Sequence, residues 1–263
     1  MINIWQIKKY ALHFLSAKRN GHGVHSPFVY DLVENVFSNT FKFYAFEELE
    51  VLRKQLLKDN TELVINDLGA GSHKLNSQKR KVNEIAKHGI SSKKQSEIYF
   101  KLINYFKSEV LIELGTSLGL NTIYFSKANP KAKIYTIEGS ESLFNFSKNL
   151  FKEQNCPNIE SINANFDTAL PQLLKSVSAF DVLYIDGNHT YEATLAYFKM
   201  ALQKKNKDSF IILDDIYWST GMTRVWEEIK ANEEVKLTVD CFYFGIVFFR
   251  EEVKQKEHFK LFI

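Results

Sequence analysis

Downstream of about residue 109, short apolar runs alternate with longer stretches whose apolar residues recur every three or four positions. The runs at 110–114, 180–185 and 210–213 are apolar almost throughout, the pattern of strands covered on both faces. Weaker runs at 133–137 and 159–164 complete a series of five. Between them, the helical period predicts helices near 122–128, 142–154, 168–175, 191–203 and 223–232. Such alternation implies βαβ units, hence an α/β fold with a mostly parallel sheet wound by helices on both faces.

The end of the chain breaks this rhythm. Two β-rich runs, 236–241 and 245–250, lie only a few residues apart, which predicts an antiparallel hairpin with Gly245 at its turn. The expected total is a seven-stranded, doubly wound sheet over residues 107–263. Residues 1–106 read instead as helices at 4–17, 28–37, 47–57 and 97–106 joined by polar loops, a mainly helical cap on the substrate side. No repeat or low-complexity linker intervenes, so the cap is expected to pack rather than hang from a tether.

A chain of 263 residues, 45% of them hydrophobic, buries an adequate core without a disulfide or metal clip. Cys156 and Cys241 stand in neither CxxC nor CxxH spacing and read as ordinary thiols of a reducing, cytoplasmic setting. The N-terminus interleaves apolar and polar residues, unlike a secretion signal, and no later run is long enough to span a membrane. A formal charge of +3 is too near neutral to demand a polyanionic partner. The local basic excess at Lys79, Arg80, Lys81, Lys93 and Lys94 is opposed only by Glu84 and Glu97.

Two glycine-bearing segments compete as a nucleotide loop, Asp67-Leu-Gly-Ala-Gly-Ser72 and Glu113-Leu-Gly-Thr-Ser-Leu-Gly119. Such a loop must follow a buried strand and open a helix, and the next strand should end in an acid about twenty residues on, where it accepts from ribose hydroxyls. The second segment meets each condition, with Glu138 as the downstream acid. The first is followed by a polar, basic stretch and no such strand. Gly115 and Gly119 also bracket a longer turn than the dinucleotide fingerprint, and no pyrophosphate cradle is evident.

With these residues placed, the run from about 91 to 250 resembles the class I S-adenosylmethionine (SAM)-dependent O-methyltransferases, both the catechol and caffeoyl-CoA type and the macrolide-sugar type. The resemblance rests on Ser91-Ser-Lys-Lys-Gln95, Glu113-Leu-Gly-Thr-Ser-Leu-Gly119, Ile137-Glu-Gly139, Asn165-Phe-Asp-Thr-Ala-Leu-Pro-Gln172, Tyr184-Ile-Asp-Gly-Asn-His189 and Leu213-Asp-Asp-Ile216. It implies a Rossmann-like fold and SAM as cofactor. Glu113 and Gly115 would then lie at the methionine end, where Glu113 either meets the cationic amine or merely caps the loop. Ser117, Gly119 and Asn121 would run along the methionine and ribose, Glu138 and Gly139 would hold the ribose, and Asn165, Phe166 and Asp167 would surround the adenine. Phe166 reads equally as a core aromatic.

The chemistry falls to the acids after the fourth and fifth strands. In a parallel sheet Asp186, Asp214 and Asp215 should converge at the carboxyl edge, and hard oxygen ligands suit Mg²⁺ or another divalent cation. In metal-dependent relatives the matching positions hold such an ion, although Asp215 stands where the catechol type has asparagine. The alternative is a set of helix caps. Asp186 is placed in the catalytic, cofactor and metal sets alike. His189, three residues on, is the candidate general base, where the sugar type resembled here also carries histidine. Gly21-His-Gly-Val-His-Ser-Pro-Phe28 reads as a packing turn, a substrate contact or half a metal site, and Trp218 as a wall of the acceptor pocket.

The expected activity is methyl transfer to an oxygen of a small-molecule or sugar acceptor, with or without a divalent metal, and a homo-oligomer is compatible with it. An RNA ribose methyltransferase and a catalytically silent SAM-binding module are the alternatives. Asp186-Gly-Asn-His lacks the Pro-Pro-aromatic continuation typical of nucleobase N-methylases.

Overall fold

The computed structural model describes residues 4–19, 21–65 and 79–263. By contacts the chain divides into two compact units, Met1–Asn39 with Leu174–Ile263, and Thr40–Leu173. Eight strands form one mixed, mostly parallel sheet. The expected α/β architecture is therefore present, with one strand more than the seven expected.

In the second unit, β3 (Val110–Leu114), β4 (Lys133–Glu138) and β5 (Ile159–Asn163) pair in parallel in that order. The helices α6 (Leu120–Ala128) and α7 (Glu141–Glu153) connect them. Four of the five β3 residues are buried and Ile134, Thr136 and Ile137 of β4 are fully so, as expected of strands packed on both faces. The same unit holds α3 (Tyr44–Leu56), the short hairpin of β1 (Glu62–Val64) and β2 (Lys79–Lys81), α4 (Val82–Gly89) and α5 (Lys93–Phe106). Helix α5 starts in a capping box: Ser92 Oγ accepts from the Gln95 N–H, and Gln95 Oε1 accepts from the Ser92 N–H. Helix α8 (Phe166–Ser176) runs across the division.

In the first unit the strand order is β10-β8-β9-β7-β6. Strands β6 (Phe180–Ile185) and β7 (Lys205–Asp214) are parallel, joined through α9 (Tyr191–Leu202). After α10 (Thr220–Ala231), β8 (Leu237–Asp240) and β9 (Phe244–Phe248) form the expected antiparallel hairpin. The eighth strand, β10 (Glu257–Lys260), lies parallel to β8. The N-terminal elements of this unit are α1 (Ile4–Ser16) and α2 (Pro27–Leu32), the latter continuing as a π-helical turn to Phe37. Helix α1 is tied down by Lys18 bonding to Lys260 and by the buried His13, whose Nε2 lies 3.1 Å from the Leu261 carbonyl.

The hairpin corrects one reading. Gly245 sits inside β9, opposite Leu213 and Asp240, while the turn is 241–243 with Phe242 at φ +68°. What Gly245 supplies is room: a Cβ there would lie 2.6 Å from Cη2 of the fully buried Trp226. Replacing Gly245 with alanine should therefore force a shift of Trp226 and cost roughly 1–3 kcal/mol of stability. Urea denaturation reads this directly, and an unchanged midpoint would show that the tryptophan yields freely.

Candidate active site

The second unit builds a loop from the end of β3 into α6. Gly115 (φ +104°), Ser117 (φ +50°) and Gly119 (φ +81°) all take left-handed conformations, so the chain reverses tightly before α6 begins. At Gly119 a glycine is needed twice over, because a Cβ would also fall 2.5 Å from the Phe151 ring. The loop is held by Glu138 at the end of β4, whose two carboxylate oxygens accept from the Ser117 N–H at 2.8 Å and the Ser140 N–H at 2.9 Å. Gly115, Ser117 and Gly139 are half-buried beside it.

Glu113 is only 1% exposed. Its Oε2 accepts from Thr122 Oγ1 at 2.5 Å and Thr136 Oγ1 at 2.6 Å. Burial pushes its pKa up to about 8 against the opposing pull of the two threonines, so at neutral pH the folded chain holds Glu113 mainly as the neutral acid. Asn121 has its amide engaged: it donates to Ser91 Oγ and accepts from Ser96 Oγ, both at 2.8 Å. Buried Arg53 joins this network through the Ser91 carbonyl and Ser96 Oγ. Asn165 caps α8 by accepting from the Asp167 N–H, with Phe166 half-buried and Asn165 and Asp167 exposed. The competing segment 67–72 lies outside the described residues.

In the first unit, Asp186 and Asp214 follow adjacent parallel strands and meet at a common partner. The hydroxyl of fully buried Tyr184 lies 2.9 Å from Asp186 Oδ2 and 2.7 Å from Asp214 Oδ2, and the two acids share its one proton. Asp214 Oδ1 takes the Asp215 N–H at 3.1 Å. Half-buried His189 places Nε2 3.6 Å from Asp186 Oδ1. Desolvation lowers the His189 pKa below the ordinary imidazole value, partly offset by the nearby Asp215 carboxylate. Desolvation likewise raises Asp215, partly offset by His189. Each partner is thus biased toward its neutral form, and a neutral imidazole is the form that accepts a proton.

Asp215 also lines a cleft of about 430 Å³ together with Gln6, Ile7, Tyr10, Tyr217, Trp218, Phe242 and Tyr243. Trp218 is 55% exposed and thus belongs to this wall rather than to the core. Tyr217 stacks on Phe242 with centroids 5.2 Å apart, and the edge of Tyr10 meets Phe242 at 4.9 Å. Behind the wall, buried Asp240 accepts from Tyr217 Oη at 2.6 Å and lies 3.3 Å from His13 Nδ1. Most of these aromatics were missed by sequence reasoning, because they come from α1 and the β8–β9 turn, far apart in the chain. Tyr184 carried a legible signal: two residues before Asp186, it shares that residue's face of the strand.

The expected metal cage does not form. Among the described residues no three His, Cys, Asp or Glu side chains are placed to hold a metal ion. Asp186 Oδ2 and Asp214 Oδ2 both lie against the Tyr184 hydroxyl, Asp186 Oδ1 lies 3.6 Å from His189, and Asp214 Oδ1 takes the Asp215 N–H. These carboxylates do not fit a divalent cation as they stand. The loop at 21–28 is a surface turn with His22 and His25 exposed and Gly21 and Gly23 at positive φ, ahead of Pro27 in the first turn of α2.

Residues 112–216 match the family model for a methyltransferase domain. No curated protein sequence matches the chain. Among solved structures, an O-methyltransferase from Bacillus cereus in complex with S-adenosylhomocysteine (SAH) superposes with a TM-score of 0.55 at 18% identity, covering 80% of this chain and 92% of that one. A SAM-bound O-methyltransferase of Streptomyces achromogenes involved in tomaymycin synthesis gives 0.56 at 14% identity, covering 84% and 95%. An SAH-bound methyltransferase of Podospora anserina gives 0.56 at 13%, covering 81% and 99%. The chain thus has the class I methyltransferase fold and resembles the SAM-dependent O-methyltransferases that share it.

Proposed function

We propose that the chain transfers a methyl group from SAM to an oxygen of a small-molecule or sugar acceptor. The observation that carries this reading is half-buried His189, 3.6 Å from Asp186 and within electrostatic reach of Asp215, which itself lines an aromatic cleft, on a methyltransferase fold. Bound SAM would supply an electrophilic methyl on a sulfonium, and the C–S electron pair would leave on sulfur as the acceptor oxygen takes the methyl. The chain's own work is to align the acceptor and remove its proton. His189 is the base, and Asp215 stabilises the imidazolium that results. Asp186, 3.6 Å from His189 Nε2, positions the imidazole. Trp218, Tyr217 and Tyr243 provide faces on which a ring of the acceptor lies, with the N-terminal helix contributing Gln6, Ile7 and Tyr10.

For the cofactor, Glu138 at the end of β4 is the acid assigned to the ribose hydroxyls, Gly115, Ser117, Gly119 and Gly139 offer close backbone approach, and Phe166 offers a face to the adenine beside Asn165 and Asp167. We assign Glu113 to the methionine amine, and Asn121 to holding the loop's helix against Ser91 and Ser96. No helix among the described residues is long and apolar enough to cross a membrane.

With an acceptor found by screening hydroxylated compounds, His189→Ala should lower kcat on the order of a hundredfold or more. The acid limb of kcat/KM in the native chain should lie below pH 6.5, the ordinary imidazole value. Because Asp215 raises the His189 pKa, Asp215→Asn should move that limb to still lower pH. Unchanged turnover in His189→Ala would remove it from the mechanism. At the cofactor, a cation pairing with Glu113 pulls down a pKa of about 8, so SAM binding at pH 7 should release close to one proton. Calorimetry in buffers of different ionisation heat should show this release, and Glu113→Gln should abolish it. Binding without proton release would separate Glu113 from the amine.

A further inference from the structure

We propose that Tyr184 takes the place a divalent cation would occupy between Asp186 and Asp214, so that the acceptor is deprotonated without a metal. A cation shared by two carboxylates draws their oxygens to about 2.0–2.6 Å from itself. Here the point both Oδ2 atoms face is filled by a phenol oxygen, 2.9 Å from Asp186 and 2.7 Å from Asp214. The remaining oxygens are also spoken for. Asp214 Oδ1 accepts from the Asp215 N–H, and Asp186 Oδ1 faces His189 Nε2. Asp215, the third acid, sits on a backbone at φ +55° whose N–H is also bonded to the Tyr243 carbonyl.

The ring fixes the hydroxyl. Tyr184 is 1% exposed within β6, in register with Ile212 of β7, so its oxygen cannot swing out to solvent to admit an ion. The hydroxyl therefore does structurally what a cation would do, holding two carboxylates together at one sheet edge. It does not do what a cation does chemically, because it brings no positive charge to lower the pKa of an acceptor hydroxyl. That places the deprotonation on His189. The last step rests on the methyltransferase reading above, whereas the exclusion of the cation does not, and the two are tested apart.

The test uses the full-length chain, Mn²⁺ as probe and no SAM. Electron paramagnetic resonance titration of the native chain should show no saturable Mn²⁺ binding, and its melting temperature should not move with MnCl₂. Tyr184→Phe removes the shared donor and leaves two carboxylates facing, so its melting temperature should fall by about 5 °C. It should acquire saturable Mn²⁺ binding, with the lost melting temperature recovered in MnCl₂. Tyr184→Phe combined with Asp214→Asn relieves the repulsion, and should regain stability while losing the Mn²⁺ response. Saturable Mn²⁺ binding by the native chain that disappears in Asp214→Asn would overturn the proposal, a result readable even if Tyr184→Phe does not fold. A folded Tyr184→Phe that binds no Mn²⁺ would overturn it as well. Loss of methyl transfer with this metal behaviour intact would instead count against the methyltransferase reading.

Discussion

A carboxylate buried at the end of a strand costs more than most contacts return unless it is paired, hydrogen-bonded or neutralised. Among the described residues four acids meet that constraint at or next to a strand end: Glu113, Glu138, Asp214 and Asp240. Each is resolved differently. Glu113 keeps a proton, Glu138 takes two backbone N–H groups, Asp214 takes a tyrosine hydroxyl and a backbone N–H, and Asp240 takes Tyr217 beside His13. The solutions shape what surrounds them. The Glu138 bonds fix the glycine loop, the Asp214 bond closes the gap between two acids, and the Asp240 pair anchors the aromatic wall of the cleft and ties α1 to the same unit.

The chemistry follows from how much solvent each solution leaves. Glu138 lies beside half-buried Gly115, Ser117 and Gly139, so it reads as a ligand-facing acid. Asp214 is turned instead to the buried Tyr184 hydroxyl. The reacting pair we propose is His189 with Asp215, both of them shifted chiefly by desolvation. A histidine biased to its neutral form, near an acid that lines an aromatic cleft, is suited to taking a proton from a bound hydroxyl.

The alternation of apolar runs made the parallel sheet, its helices and the final hairpin legible, because burial on both faces of a strand leaves a continuous apolar signature. The demand for a strand, a helix and a downstream acid likewise separated the loop at Glu113 from its rival. Where burial left no such signature, the sequence was mute: β10 is Glu-His-Phe-Lys with one apolar residue, and β2 is Lys-Arg-Lys. Gly245 was misplaced at a turn because a glycine needed for closeness to Trp226 looks the same in one dimension as one needed for positive φ. The partners of Asn121 lie 25 and 30 residues away, and those of Asp214 include a tyrosine on another strand. Such pairings decide whether a polar residue faces a ligand or its own fold, and spacing along the chain does not carry them.

The central claim is that the loop after β3, closed by Glu138, binds an S-adenosyl cofactor. Isothermal titration of the purified chain with SAH tests it most directly. Saturable binding of one molecule per chain is expected, weakened at least tenfold by Glu138→Ala, because that carboxylate fixes the loop and is the acid we assign to the ribose. Absence of binding by SAH and SAM alike, in a chain shown to be folded, would contradict it.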